Sequence, residues 1–233
     1  MVSKPPSLSS RLALAADLVR PGARFADVGT DHAYLPIHLI GEGRISFAVA
    51  ADIAEGPLDR ARENLGAAGL LDRVTLLLAD GLSGMEGLGL SDIAVCGMGG
   101  EMIASILAAA PFVRDPSVRL ILQPMTKADV LRRYLAAEGF SVISERYAAE
   151  DGRVYLCLGA TYDGQVRLLT PFADVLGEPE KRDRRDREAY LAYLDIRERE
   201  IRGRLRGKRV GGADTGEEEA LLAAIAEERK RSV

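Results

Sequence analysis

Three acidic residues at or near the ends of apolar, strand-like runs are the side chains best placed to do chemistry. They are Asp27 in Arg24-Phe-Ala-Asp-Val-Gly29, Asp52 in Ile45-Ser-Phe-Ala-Val-Ala-Ala-Asp52, and Asp80, which is followed by Gly81. In a doubly wound sheet a ligand lies beyond the carboxyl ends of the strands, and a glycine after the first strand lets backbone amides approach it closely. Gly29 stands at that position. A dinucleotide fingerprint would add glycines two and five places later, where this chain has Asp31 and Tyr34; close approach of a pyrophosphate, and with it a nicotinamide cofactor, is disfavoured. Asp52 remains placed to accept hydrogen bonds from ribose hydroxyls. A ribose without a pyrophosphate points to S-adenosylmethionine.

Each candidate then takes a role. Asp27 either receives the ammonium of the cofactor's methionine end, directly or through water, or is satisfied by neighbouring backbone amides; a carboxylate in an apolar run is costly to bury without a partner. Asp80 accepts the exocyclic amine of the adenine while the Gly81 amide meets a ring nitrogen, although Asp-Gly is equally a plain turn signal. The run Asp92-Ile-Ala-Val-Cys-Gly-Met-Gly-Gly100 has three glycines in four positions, which leaves room for a cofactor and a flat base. In it Met98 either packs on an adenine ring or fills a gap. Gln123-Pro124 presents a side-chain amide and a fixed bend to the same crevice. Asp31 is either a proton acceptor near the methyl group or, with Thr30, a cap for the next helix. His32 suits a structural hydrogen bond, and His38 falls within a helix. The histidines, Asp31 and the two cysteines do not make a metal-ligand spacing. Cys96 and Cys157 both lie in apolar runs and read as buried free thiols.

The elements that must position these residues alternate in type. Ser10 caps a helix running to about 19, ended by Pro21-Gly22; strands follow at 24–29, 45–52, 73–79, 92–97, 119–123, 141–148 and 153–161, with helices at 56–68, 100–110 and 127–138. Alternation of this kind gives a mostly parallel α/β sheet covered on both faces. Only Glu150-Asp-Gly-Arg153 separates the last two strands, so the sheet ends in an antiparallel hairpin. A seven-stranded sheet of that description resembles the class I methyltransferase fold, which is Rossmann-like.

Pro171 and Pro179 frame a linker, and a charged helix follows over about 180–207, with Leu191, Leu194, Ile201 and Leu205 forming a narrow seam that Glu198 interrupts. Thr215 and Glu218 form a capping box for a second helix carrying Leu221, Leu222 and Ile225. The expected organisation is therefore a methyltransferase domain over 1–164, a linker over 165–179 and a helical hairpin over 180–233 that packs on itself or on the sheet. The net charge of −4 hides an asymmetry: residues 181–209 hold twelve Lys/Arg against six Asp/Glu. A basic surface of this kind either attracts a phosphate backbone or is simply a solvated, charge-laced helix. No apolar run approaches the roughly 20 residues of a membrane span and the start lacks a secretory signal, so a soluble cytoplasmic protein without membrane or metal partners is expected.

Four segments together resemble one family, the bacterial tRNA adenine-N1 methyltransferases acting at position 22 (TrmK). They are Ala26-Asp-Val-Gly-Thr-Asp-His-Ala-Tyr-Leu-Pro36, Cys96-Gly-Met-Gly-Gly100, Leu120-Ile-Leu-Gln-Pro124 and Asp151-Gly-Arg-Val-Tyr155. The family's C-terminal coiled-coil appendage is similar to residues 180–231, so the likeness spans almost the whole chain. The family pattern places Asn after Gln-Pro, where this chain has Met125. The resemblance implies S-adenosylmethionine held by Asp27, Gly29, Asp31, His32, Asp52, Ile53, Asp80, Gly81, Cys96, Gly97 and Met98. It implies tRNA as substrate, and Asp31, Met98 and Gln123 beside the reacting atoms. A small-molecule or protein methyltransferase, and a non-catalytic assembly module, share the same fold. Monomer and homodimer both remain open.

Overall fold

Phe25 and Asp27 point to one face of a sheet, Ala26 and Val28 to the other, and this period of two runs through every central strand. The computed structural model describes residues 7–231. Its seven strands are β1 (Arg24–Val28), β2 (Phe47–Asp52), β3 (Val74–Leu78), β4 (Asp92–Gly99), β5 (Arg119–Thr126), β6 (Phe140–Glu150) and β7 (Arg153–Tyr162), in the order β3-β2-β1-β4-β5-β7-β6. β1 to β5 pair in parallel, and β7 runs antiparallel between β5 and β6. The chain leaves β1 toward β2 and β3 on one side and returns to β4 and β5 on the other. That reversal opens a crevice at the carboxyl ends of β1 and β4.

Helices α1 (Ser10–Leu18), α2 (Tyr34–Gly41) and α3 (Glu55–Ala68) cover one face over Phe25, Ala48, Ala50, Ala94 and Ile121. Helices α4 (Gly100–Ala108), α5 (Ala128–Ala137) and α6 (Pro171–Leu176) lie with the opposite core of Val28, Val49, Ile93, Val95 and Leu122. The β6–β7 turn has φ 50° at Asp151 and 74° at Gly152, the two positive values a tight hairpin turn requires.

Several local expectations are corrected. Ser9, not Ser10, caps α1 by accepting from the Leu12 amide. Neither Thr30 nor Asp31 caps α2, which starts after Ala33 in the left-handed region. The segment read as a linker contains α6, whose cap is Thr170 and whose first residue is Pro171, a start well suited to a helix. The long helix begins at Arg187 rather than about 180, after 3-10 turns over Pro179–Lys181 and Arg184–Asp186. The box at Thr215 does not form: Glu218 turns to Lys208 Nζ at 2.7 Å, and the Thr215 hydroxyl meets Glu219 at 3.1 Å.

Of the two final helices, α7 (Arg187–Val210) packs on β6 and β7, and α8 (Gly216–Arg231) packs on α7 and α6. Ile201, Leu221 and Ile225 join the core that contains Tyr147 of β6. Tyr190 and Tyr193 of α7 each lie 5.1 Å, centroid to centroid, from the Tyr147 ring. Among the described residues no helix is long and apolar enough to cross a membrane.

Candidate active site

Gly29 is the pivot of the crevice. Its φ of +75° is open to glycine at little cost, and a Cβ there would overlap the methyl group of Met98. The amides of Gly29 and Thr30 both donate to the Ala51 carbonyl at 2.9 Å, which straps the turn after β1 onto β2. Two hollows meet at this residue, one of about 880 Å³ and one of about 320 Å³.

The larger hollow takes in Asp52, Ile53, Asp80, Gly81, Met98 and Gly99. One Asp52 oxygen accepts from the Ala54 amide at 2.9 Å, fixing the carboxylate at the end of β2. Beside it Ile53 is 68% exposed, an apolar side chain held open at the rim where a flat ring could cover it. Met102, Ser105 and Ile106 of α4 complete the wall. Sequence reading missed these three, although Met102 and Ile106 have the four-residue spacing of one helix face.

The smaller hollow takes in Arg11, Asp27, Thr30, Asp31, His32 and Cys96. Asp27 is 7% exposed. Burial raises its carboxyl from the usual range to about 6, against the positive charge of Arg11. The Thr30 hydroxyl is buried beside it and, with Arg11, partly offsets that rise. Asp31 stands at the rim, where Arg60 Nη2 reaches it at 2.7 Å and His32 Nε2 at 3.2 Å. His32 stacks on Tyr34 with centroids 5.0 Å apart, and its carbonyl accepts from Asn64. His38 is half-buried in α2, apart from both hollows. Cys157 is buried as expected, whereas Cys96 is only half-buried and lines the smaller hollow; loss of hydration pushes the Cys96 thiol well above its usual range and the Cys157 thiol up to about 12, so neither is a thiolate nucleophile.

The expectation that Gln123 presents its amide to the crevice is not met, because the side chain is fully buried. Its Oε1 accepts from Arg11 Nη1 at 3.1 Å and from the Gly97 amide at 3.0 Å, while Nε2 donates to the Pro124 carbonyl at 3.2 Å. Gly97 is exposed in the irregular end of β4 with φ +80° and lines neither hollow, whereas Met98 and Gly99 face the larger one. Met125, next to Pro124, is 45% exposed.

A sheet of this order, with acids and glycines gathered where its strand order reverses, defines a class I, Rossmann-like methyltransferase, and a family described as "Methyltransferase domain" matches residues 8–158. Within that class the chain belongs to the family of the tRNA (adenine(22)-N(1))-methyltransferase of Bacillus subtilis, to which it is 36% identical over 164 residues, 67% of this chain and 69% of that one. The crystal structure of Bacillus subtilis TrmK superposes with a TM-score of 0.77 at 28% identity, covering 97% of each chain. A Streptococcus pneumoniae protein crystallised in complex with S-adenosyl-L-methionine superposes with the same score at 32% identity, covering 93% of this chain and 100% of that one.

Proposed function

We propose that this protein transfers the methyl group of S-adenosylmethionine to N1 of adenine 22 in tRNA. The observation that carries the reading is the pair of hollows joined at Gly29, with carboxylates at both ends. The adenosine fits the larger one, its ribose on Asp52, one ring face on Ile53 and its edge at Asp80 and Gly81. The amino-acid arm passes Gly29 and sets its ammonium on Asp27, beside the Thr30 hydroxyl. The sulfonium then lies near Met98, opposite the opening formed by Met98 and Gly99.

Adenine N1 carries an in-plane lone pair, so the step is an in-line displacement. The N1–carbon bond forms as the carbon–sulfur bond breaks, and the sulfonium leaves as a neutral thioether. Such a step needs alignment and dehydration rather than a strong base. In a paired tRNA stem N1 is engaged, so the base must be turned out at a cost of a few kcal/mol, which contacts to the RNA backbone offset. Residues 1–164 hold the donor, and the helical hairpin of 180–233, joined through 165–179, meets the RNA in the cytoplasm.

The test is methylation of a tRNA transcript carrying adenine at position 22, with labelled donor and mass spectrometry of the nucleosides. One N1-methyladenosine per tRNA is expected, and none when position 22 is guanine. Equal labelling of both transcripts, or of neither, overturns the assignment.

A further inference from the structure

We infer that Gln123 and Arg11 are positioning residues that hold the Cys96-Gly97-Met98 turn at the height methyl transfer requires. The inference rests on the methyl-transfer reading above and adds to it Gln123, which lines neither hollow, and a second role for Arg11, which also lines the smaller one.

β4 and β5 run in step from Asp92 and Arg119 to Cys96 and Gln123, then slip so that Met98 faces Pro124 and Gly99 faces Thr126. The slip is a bulge, a device that re-aims the following side chain. Here it aims Met98 at Gly29, against the space where a Cβ would stand. Pro124 has no N–H to give the ladder at this point. The Gln123 amide makes up the local bonding: Oε1 takes the Gly97 N–H, and Nε2 donates to the Pro124 carbonyl. Arg11 closes the set from α1, 112 residues away in sequence. Its Nη1 would lie 3.1 Å from a Cβ at Gly97, so the guanidinium packs against the turn as well as bonding Gln123. A buried side-chain amide with its partners supplied is a rigid support, and removing its acceptor releases the exposed Gly97 amide to water. The turn would then relax, and Met98 with it, at the boundary across which the methyl group moves.

The test compares full-length wild type with Gln123→Met, which keeps the volume and removes the amide, and Gln123→Glu, which keeps the acceptor for Arg11 and Gly97. For Gln123→Met, kcat on the adenine-22 transcript should fall about 10- to 100-fold, the scale of a small misalignment, while the donor Kd by calorimetry stays within about threefold. Gln123→Glu should recover most of the kcat. Hydrogen exchange of the Gly97 amide should quicken about tenfold in Gln123→Met, the worth of one hydrogen bond, and also in Arg11→Met should the first variant not fold. An unchanged kcat, equal losses in the Met and Glu variants, or a Kd that weakens in proportion to kcat would overturn the inference. So would unchanged exchange at Gly97. A wild type that methylates neither transcript instead overturns the proposed function, and the exchange experiment still decides whether the turn is held in this way.

Discussion

A buried carboxyl that awaits an ammonium group is unstable by design until the ligand arrives, and Asp27 shows the cost. Its folded value of about 6 exceeds the ordinary 3.8, so the folded state keeps the proton longer than the unfolded chain. Stability therefore falls as pH rises from about 4 to about 6, by about 3 kcal/mol in all. Donor binding has the opposite sign: the ammonium needs the ionised carboxylate, so affinity should strengthen as pH rises through 6, until the donor's own amine loses its proton near about 8. Asp27→Asn should raise the melting temperature at pH 7.5, weaken the donor at least about tenfold and abolish the dependence of Kd on pH between 5 and 7. Thermal scans and calorimetry over that range check it, and a wild-type Kd flat across pH 6 would refute it. Asp27, Gly29, Asp52 and Asp80 were legible because a polar or glycine residue closing an apolar strand is a local pattern. Arg11 was not, since nothing in the sequence joins the first helix to Gln123, and Gln123 itself was misread because its partners, Arg11 and the Gly97 amide, are set by tertiary contacts in the buried stretch of β5.

Among the elements, β6, α5 and α6 are tied by one buried charge cluster. Arg132 on α5 meets both Glu145 oxygens at 3.1 Å, with the two residues 3% and 2% exposed, and its Nη1 reaches the Asp174 and Val175 carbonyls of α6 at 3.3 Å. Glu145 also accepts the Tyr147 hydroxyl, and Gly177 leaves room for it where a Cβ would collide with the carboxylate. Removing one partner strands the other in the interior. Arg132→Met should thus cost about 3 to 5 kcal/mol in urea unfolding, and adding Glu145→Gln should recover much of the loss. An additive double variant would deny the coupling. The helix this cluster anchors, α6, was missed because six residues are too few to show a helical period, although Thr170-Pro171 is a helix start in plain view. The start of α7 was misplaced for a related reason. Asp186 bonds Arg146 Nε at 2.6 Å and the Tyr147 amide at 2.9 Å, and these tertiary bonds hold 184–186 in a tight turn that a charged, helix-like sequence does not reveal. The Asp-Gly hairpin, by contrast, was readable because its two positive φ values are a property of those two residues alone.

Across the whole molecule, charge rather than shape decides where a polyanion could sit. The +6 of residues 181–209 is partly answered by the acids of α8, since 181–233 together hold fifteen Lys/Arg and twelve Asp/Glu. Many of those arginines and lysines pair within the hairpin, as Lys208 does with Glu218, Arg209 with Glu219, and Arg229 with Glu198. Simple charge counting therefore overstates the attraction, and RNA binding should depend on the cations that face solvent, whether or not they also have a protein partner, among them Arg184, Arg185 and Arg187 ahead of and at the start of α7. Arg185 contacts Asp183 at 72% side-chain exposure, a pairing that water and salt weaken and a phosphate can displace. Reversing all three to Glu should lower tRNA affinity at any sequence and flatten the plot of log K against log salt by about three units, one for each phosphate that the variant no longer neutralises. The donor Kd should stay within about twofold, because none of the three lines either hollow. Filter binding from about 50 to about 200 mM salt, run beside donor calorimetry on the same preparations, separates the outcomes. An unchanged salt slope places the RNA elsewhere on the surface, and a parallel loss of donor binding shows that the hairpin supports the fold of the crevice instead of the grip on tRNA.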